Sequence, residues 1–205
     1  MKKGLFITFE GCEGSGKTTQ AKKLCSYLNK KHYKCILTRE PGGTIISEKI
    51  RRILLNKNHS SLHPRTELFL YLASRAQHTK EVILPALKKG KVVICDRYTD
   101  SSLAYQGVAR NLSIEIVEKL NRLATEELLP DITFLIDINP REGLKRVKGK
   151  DRIENEKTIF HNKVRRAYLN IARDEKNRVR LIDGSRSKNE IFQEILSAIK
   201  SHLSY

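Results

Sequence analysis

Five short apolar runs punctuate the chain, at Leu5–Phe9, Cys35–Thr38, Val92–Cys95, Ile132–Ile138 and Val179–Ile182. Several lack polar alternation, as expected of strands covered on both faces in a parallel sheet. Between them lie longer segments with helical periodicity, over Lys17–Lys30, Ser47–Leu55, Arg65–Lys88, Ser113–Glu127, Pro140–Val147, Glu156–Glu175 and Lys188–Leu203. This alternation predicts an α/β fold: a doubly wound five-stranded parallel sheet with flanking helices and right-handed crossovers. Chemistry in such folds sits beyond the carboxyl ends of the strands. The first run ends in a glycine-rich turn, the second in Arg39-Glu40-Pro41-Gly42-Gly43 and the third in Asp96-Arg97-Tyr98, so three strand ends converge on one rim.

At 205 residues the chain fits one domain, residues 1–205, with a short lid at about 146–154. No apolar stretch reaches the length of a membrane span. Cys12, Cys25, Cys35 and Cys95 have no C-x-x-C spacing, so neither a zinc site nor a disulfide framework is indicated. Together these features favour the cytoplasm. The net charge of +17 is compatible with nucleic acid, but it is spread along the chain without aromatic interleaving, which argues against a specific nucleic-acid partner. It equally suits a site that holds two phosphorylated substrates.

The glycine-rich turn is Gly11-Cys12-Glu13-Gly14-Ser15-Gly16-Lys17-Thr18, a complete G-x-x-x-x-G-K-[ST] P-loop between a strand and a helix. Its glycines let backbone N–H groups turn inward around phosphates, and the following helix aims its positive end at the same place. Lys17 is placed for the β/γ-phosphates and Thr18 for Mg²⁺. Asp96 ends the third apolar run, where a Walker-B carboxylate holds the metal; the alternative is an Asp capping the next turn. Arg97 brings a fork suited to phosphate. Glu40 is read either as a site carboxylate or as part of an exposed turn.

The cationic stretch Arg146-Val147-Lys148-Gly149-Lys150-Asp151-Arg152 is either a solvated charge run or a mobile cover that brings cations onto a transferring phosphoryl group. Tyr71 and Arg75 share a helix face, for core packing or for stacking on and hydrogen bonding a base. Ser101-Ser102-Leu103-Ala104-Tyr105-Gln106-Gly107 supplies hydroxyls and one amide that donates and accepts.

In order and spacing, Phe9-Glu10-Gly11 leading into the P-loop, Arg39-Glu40-Pro41-Gly42-Gly43-Thr44, Ala73-Ser74-Arg75, Asp96-Arg97-Tyr98, Ser101 to Gly107 and Asp151-Arg152-Ile153-Glu154 resemble the bacterial-type thymidylate kinase family. The resemblance spans essentially the whole chain. It implies a P-loop kinase fold, Mg²⁺-dependent transfer of the γ-phosphate of ATP to dTMP to give dTDP on the way to dTTP, and commonly a homodimer. It assigns Gly11 to Thr18 and Arg146 to ATP, and Thr18 and Asp96 to the metal. Arg51 and Arg97 fall on the dTMP phosphate, Glu40 in the catalytic site, and Glu13 near the sugar 3′-hydroxyl. Tyr71 falls under thymine, Arg75 on O4 and Gln106 on N3–H, with Ser102 and Tyr105 also among the dTMP contacts.

Some family members carry an arginine after the acidic P-loop residue, where this chain has Gly14. The missing cation is then expected from the lid: Arg152 first, Lys148 or Lys150 second. Tyr71 replaces the phenylalanine usual there, and Cys12 is unusual in such a loop, where exposure would leave it open to oxidation.

Overall fold

The computed structural model describes residues 4–149 and 151–203. Its centre is a parallel five-stranded sheet in the order β2-β3-β1-β4-β5, formed by β1 (Leu5–Glu10), β2 (Cys35–Arg39), β3 (Val92–Asp96), β4 (Ile132–Asp137) and β5 (Val179–Asp183). The predicted doubly wound arrangement is observed. The chain leaves β1 between two neighbours reached in opposite directions, β3 and β4. That switch point is where an open α/β sheet leaves a crevice for ligands.

Alternate β1 side chains enter different layers. Ile7 and Phe9 pack with Leu24 and Leu28 of α1 (Lys17–Lys30) and with Ile195 and Ile199 of the C-terminal helix Lys188–Leu203. Phe6 faces the opposite layer with Ile83, Val93 and Tyr98. Each fully buried aliphatic or aromatic side chain in these layers contributes roughly 1.5–3 kcal/mol. Burial on both faces explains why the strands read as apolar runs. Four strands run one residue beyond those runs, taking Glu10, Arg39, Asp96 and Asp183 into the ladder, whereas β4 stops at Asp137. Phe9 and Arg39 both lie opposite Asp96, so the sheet itself sets the spacing of the charged rim.

The helical expectations hold with instructive differences. α2 (Ile45–Leu55) begins two residues early, because the Thr44 hydroxyl accepts the Ser47 N–H at 3.0 Å and caps the helix there. The long segment at 65–88 is α3 (Pro64–His78), a π-helical turn (Thr79–Ile83) and α4 (Leu84–Lys88). The widened turn precedes Pro85, which has no N–H to continue an α-helical ladder. Residues 99–109, outside the predicted helices, form α5 (Thr99–Ser102) and a π-helical segment, Leu103–Ala109. The remaining helices are α6 (Ile114–Thr125), α7 (Pro140–Arg146), α8 (Thr158–Asp174) and α9 (Lys188–Leu203). No described helix is long and apolar enough to cross a membrane.

Candidate active site

Two cavities open at the carboxyl rim of the sheet. One, of about 490 Å³, is lined by the P-loop and the start of α1 together with Arg146, Arg186 and Lys188. The other, of about 330 Å³, is bounded by Glu40, Arg51, Tyr71, Arg75, Arg97, Ser102, Tyr105 and Gln106. Gly14, Lys17 and Thr18 line both, so the two spaces meet at the P-loop.

The loop takes this shape because its glycines occupy conformations other residues resist. Gly11 has φ 143°, and a Cβ there would lie 2.4 Å from the Ile136 carbonyl oxygen. Gly14 has φ 68°, and a Cβ would lie 2.0 Å from the carbonyl oxygen of Gly143 in α7. The position where relatives carry an arginine is therefore closed by backbone. Lys17 is buried and donates to the Cys12 carbonyl at 3.0 Å, and burial together with Arg97 holds its ammonium below the usual lysine range. Cys12 is itself buried among Tyr105, Leu135 and Val164, which corrects the concern about oxidation. Burial and the neighbouring Glu13 push its thiol up to about 12, so it stays protonated.

The Thr18 hydroxyl donates to the Asp96 carboxylate. This contact joins the start of α1 to the end of β3 and gathers two hard oxygen donors beside Lys17, a donor set suited to Mg²⁺ that retains water and phosphate ligands.

Arg97, at φ 72°, is a non-glycine residue in the left-handed region. Its backbone is held by bonds on either side: its N–H donates to the Phe9 carbonyl at 2.9 Å, and the Tyr98 N–H donates to Glu10 at 2.7 Å. Its Nη2 donates to Glu13 at 2.8 Å, and Nη1 to Ser101 and Tyr168. Tyr105 donates to the same Glu13 oxygen at 2.6 Å. Burial alone would raise the Glu13 carboxyl, but Arg97, His161 and Lys17 hold it well below the ordinary carboxylate range. Glu10 differs. Burial and the nearby charge of Asp100 raise it to about 7.

Glu40 is not a free carboxylate. Arg75 Nε donates to one oxygen at 2.7 Å, and His78 Nδ1 lies 3.0 Å from the other. Burial opposes ionisation, but Arg75 and His78 together outweigh it and lower the Glu40 pKa. Arg75 also donates to Ser102 at 2.8 Å, to Asn121 at 2.5 Å and to the Tyr98 carbonyl at 2.9 Å. It borders the cavity, yet these contacts use four of its five N–H groups and leave one, on Nη2. Arg51 donates to the Pro41 carbonyl at 2.8 Å, and Tyr71 is half-buried in the same wall.

The second half of the segment expected as a lid, 146–154, is tied down in this conformation. Residues 151–154 are not a free loop: the Asp151 carboxylate accepts the N–H groups of Ile153 and Glu154 and fixes a turn. Arg152 is 6% exposed. Its Nε donates to the Leu54 carbonyl at 2.7 Å, and Nη2 pairs with Glu67 at 2.7 Å. A buried carboxylate of α3 and a carbonyl of α2 thus hold Arg152, which lines neither cavity. Arg146 borders the P-loop cavity and Lys148 is exposed beside it, while Lys150 lies outside the described residues.

Sequence reasoning missed Glu10, Glu67, His78, Asn121, His161 and Tyr168. A partial signal was present, since Glu67, Tyr71, Arg75 and His78 recur at helical spacing along one face of α3.

Residues 9–195 match the sequence model of a family described as "Thymidylate kinase". A protein named thymidylate kinase from Ligilactobacillus salivarius (strain UCC118) is 46% identical over 206 residues, covering 98% of this chain and 99% of its own. One of the same name from Carboxydothermus hydrogenoformans is 50% identical over 196 residues, covering 94% and 95%. The crystal structure of thymidylate kinase from Ehrlichia chaffeensis superposes with a TM-score of 0.80 at 34% identity, covering 97% of this chain and 99% of that one. A family match over residues 9–195, relatives at 46% and 50% identity over nearly the whole chain and a superposing crystal structure show that this protein belongs to the thymidylate kinase family.

Proposed function

We propose that the chain transfers the γ-phosphoryl group of ATP to the phosphate of dTMP, giving dTDP and ADP. The carrying observation is the meeting of two cavities at Gly14, Lys17 and Thr18, which lets a donor and an acceptor phosphate face each other across one lysine. An oxygen of the dTMP phosphate forms the new bond to the γ-phosphorus as the bond to the β-phosphate oxygen breaks. That acceptor is already largely ionised near neutral pH, its second pKa being about 6, so no general base is needed. The locked state of Glu40 fits this: it positions Arg75 and takes no proton.

Residues Gly11 to Thr18 bind the ATP phosphates, with Lys17 leaving the Cys12 carbonyl for them, and Arg146 lies beside the nucleotide. Arg97 and Arg51 hold the acceptor phosphate. Glu13 orients Arg97 and Tyr105 and lies toward the sugar. Tyr71 stacks on the base, and Arg75, Ser102 and Gln106 contact its polar edge. Thr18 and Asp96 would hold Mg²⁺, which when bound neutralises charge on the β/γ-phosphates. Beside Lys17, Arg97 on the acceptor side and Arg146 on the donor side take the charge-stabilising place first expected of Arg152.

Turnover of Mg·ATP against dTMP, dUMP, dCMP, AMP and GMP tests the proposal. Rapid dTDP formation with weak use of the others supports it, and ATP hydrolysis without acceptor phosphorylation rejects it.

A homodimer is part of the same proposal. Phe69, Ile114, Ile116 and Leu123 stay exposed on the packed pair α3 and α6. Light scattering that returns only the monomer mass at micromolar concentration would remove it.

A further inference from the structure

We infer that Glu67 is a positioning residue that sets the base preference of the acceptor cavity, by holding the side-chain amide of Gln106 with its nitrogen inward and its carbonyl oxygen toward the base. This rests on the reading that the cavity takes a pyrimidine nucleoside monophosphate.

Glu67 is fully buried on α3, one turn before Tyr71. Its Oε1 accepts from Gln106 Nε2 at 2.8 Å and from Arg110 Nε at 3.2 Å. Its Oε2 accepts from Arg110 Nη2 at 3.1 Å and pairs with Arg152 Nη2 at 2.7 Å. Arg110 in turn pairs with Glu156 at 2.7 Å. Burial would favour the neutral acid, but Arg110, Gln106 and Arg152 keep the carboxyl low, so Glu67 is ionised and only accepts.

An acceptor-only partner decides which way an amide faces. Gln106 must turn Nε2 to Glu67, because the opposite orientation would set a carbonyl oxygen against a buried carboxylate. Gln106 also borders the acceptor cavity, so with Nε2 turned to Glu67 the carbonyl oxygen Oε1 is the amide's acceptor left for the ligand. An acceptor there matches a base carrying N3–H, as thymine and uracil do. It opposes cytosine, whose N3 is itself an acceptor. A buried polar mismatch of this kind discriminates more strongly than a lost apolar contact. The same carboxylate docks Arg152, so the base wall and the segment 151–154 form one unit.

The Glu67→Gln variant tests this through a ratio. With Arg110 and Arg152 claiming the amide oxygen of the new residue, its nitrogen faces Gln106, which then turns Nε2 toward the cavity. The ratio of kcat/KM for dTMP to that for dCMP is expected to fall at least about tenfold. A purely structural loss would lower both constants together and leave the ratio in place, which would overturn the inference. Gln106→Leu separates this from the underlying reading. If it leaves the ratio unchanged, Gln106 does not face the base and both fail. If it collapses the ratio while Glu67→Gln does not, only the role of Glu67 fails.

The wild-type protein gives a second test that does not depend on a variant folding. In ¹⁵N-labelled protein without nucleotide, one Gln106 side-chain amide proton, assigned by its loss in Gln106→Leu, should exchange slowly with solvent. Free exchange of both protons before dTMP is added would overturn the inference.

Discussion

Arg97 and Glu13 form an ion pair at 2.8 Å that ties the exit of β3 to the tip of the P-loop. The arginine that would hold the acceptor phosphate is thus aimed by the loop that would hold the donor. Its backbone, at φ 72°, is kept in place by Glu10 on the neighbouring strand.

Arg97→Ala should lower kcat/KM for dTMP by ~10³-fold, since an arginine on a transferring phosphoryl group contributes at that scale. Glu13→Gln should lose less, because the fork persists but is aimed less tightly. Steady-state kinetics with saturating ATP would check both, and equal losses in the two variants would contradict the division of roles.

Arg152 and Arg146 should separate cleanly. Removing Arg152 takes one of two cations from buried Glu67 and uncaps the Leu54 carbonyl, so Arg152→Ala should lower the melting temperature and raise KM for dTMP. Arg146→Ala should leave the melting temperature nearly unchanged and raise KM for ATP or lower kcat. If Arg152→Ala lowered only kcat, with stability and dTMP binding intact, Arg152 would act on the phosphoryl group in a rearranged state.

Arg75→Ala should destabilise the fold by about 3–5 kcal/mol, because it leaves the Glu40 carboxylate buried with His78 as its remaining partner. Denaturant unfolding measures this directly. The double variant Arg75→Ala, Glu40→Ala should recover part of the loss, and no recovery would show that the pair is not coupled.

Glu10 gives stability a pH dependence of unusual sign. Folding raises its pKa from 4.5 to about 7, so the folded protein keeps a proton that the unfolded chain releases across that window. Its contribution is fully present below pH 4.5 and falls as pH rises toward 7, by on the order of 3 kcal/mol. Glu10→Gln should flatten the melting-temperature profile over that range. An unchanged slope would locate the dependence elsewhere.

The parts of the site legible in the sequence are those set by local chemistry. The P-loop announces itself through its glycine spacing, and Asp96 and Arg97 through their place at the end of an apolar run. What stayed hidden depends on pairs far apart in the chain. Nothing near Arg152 says that its partner is Glu67, so a motif that marked the residue as charged and important gave no direction for its side chain. Glu40 is similar: its turn was readable, whereas its capture by Arg75 and His78 required α3 to be docked. No helix was predicted over 99–109, where Ser101 to Gly107 read only as a source of hydroxyls and one amide. Only the packing of Ala104 and Tyr105 against α8 makes helical structure the better solution there.

The contact between Gly14 and Gly143 bears on how such a sequence can diverge. Neither glycine has room for a Cβ: one on Gly14 would lie 2.0 Å from the Gly143 carbonyl oxygen, and one on Gly143 would lie 2.2 Å from the carbonyl oxygen of Glu13, the residue before Gly14. Gly14→Arg is therefore closed as a single step, since the arginine has nowhere to begin until α7 has moved away from the loop. A side chain at that position calls for a coordinated shift of two elements, the loop and the helix, and one codon does not suffice.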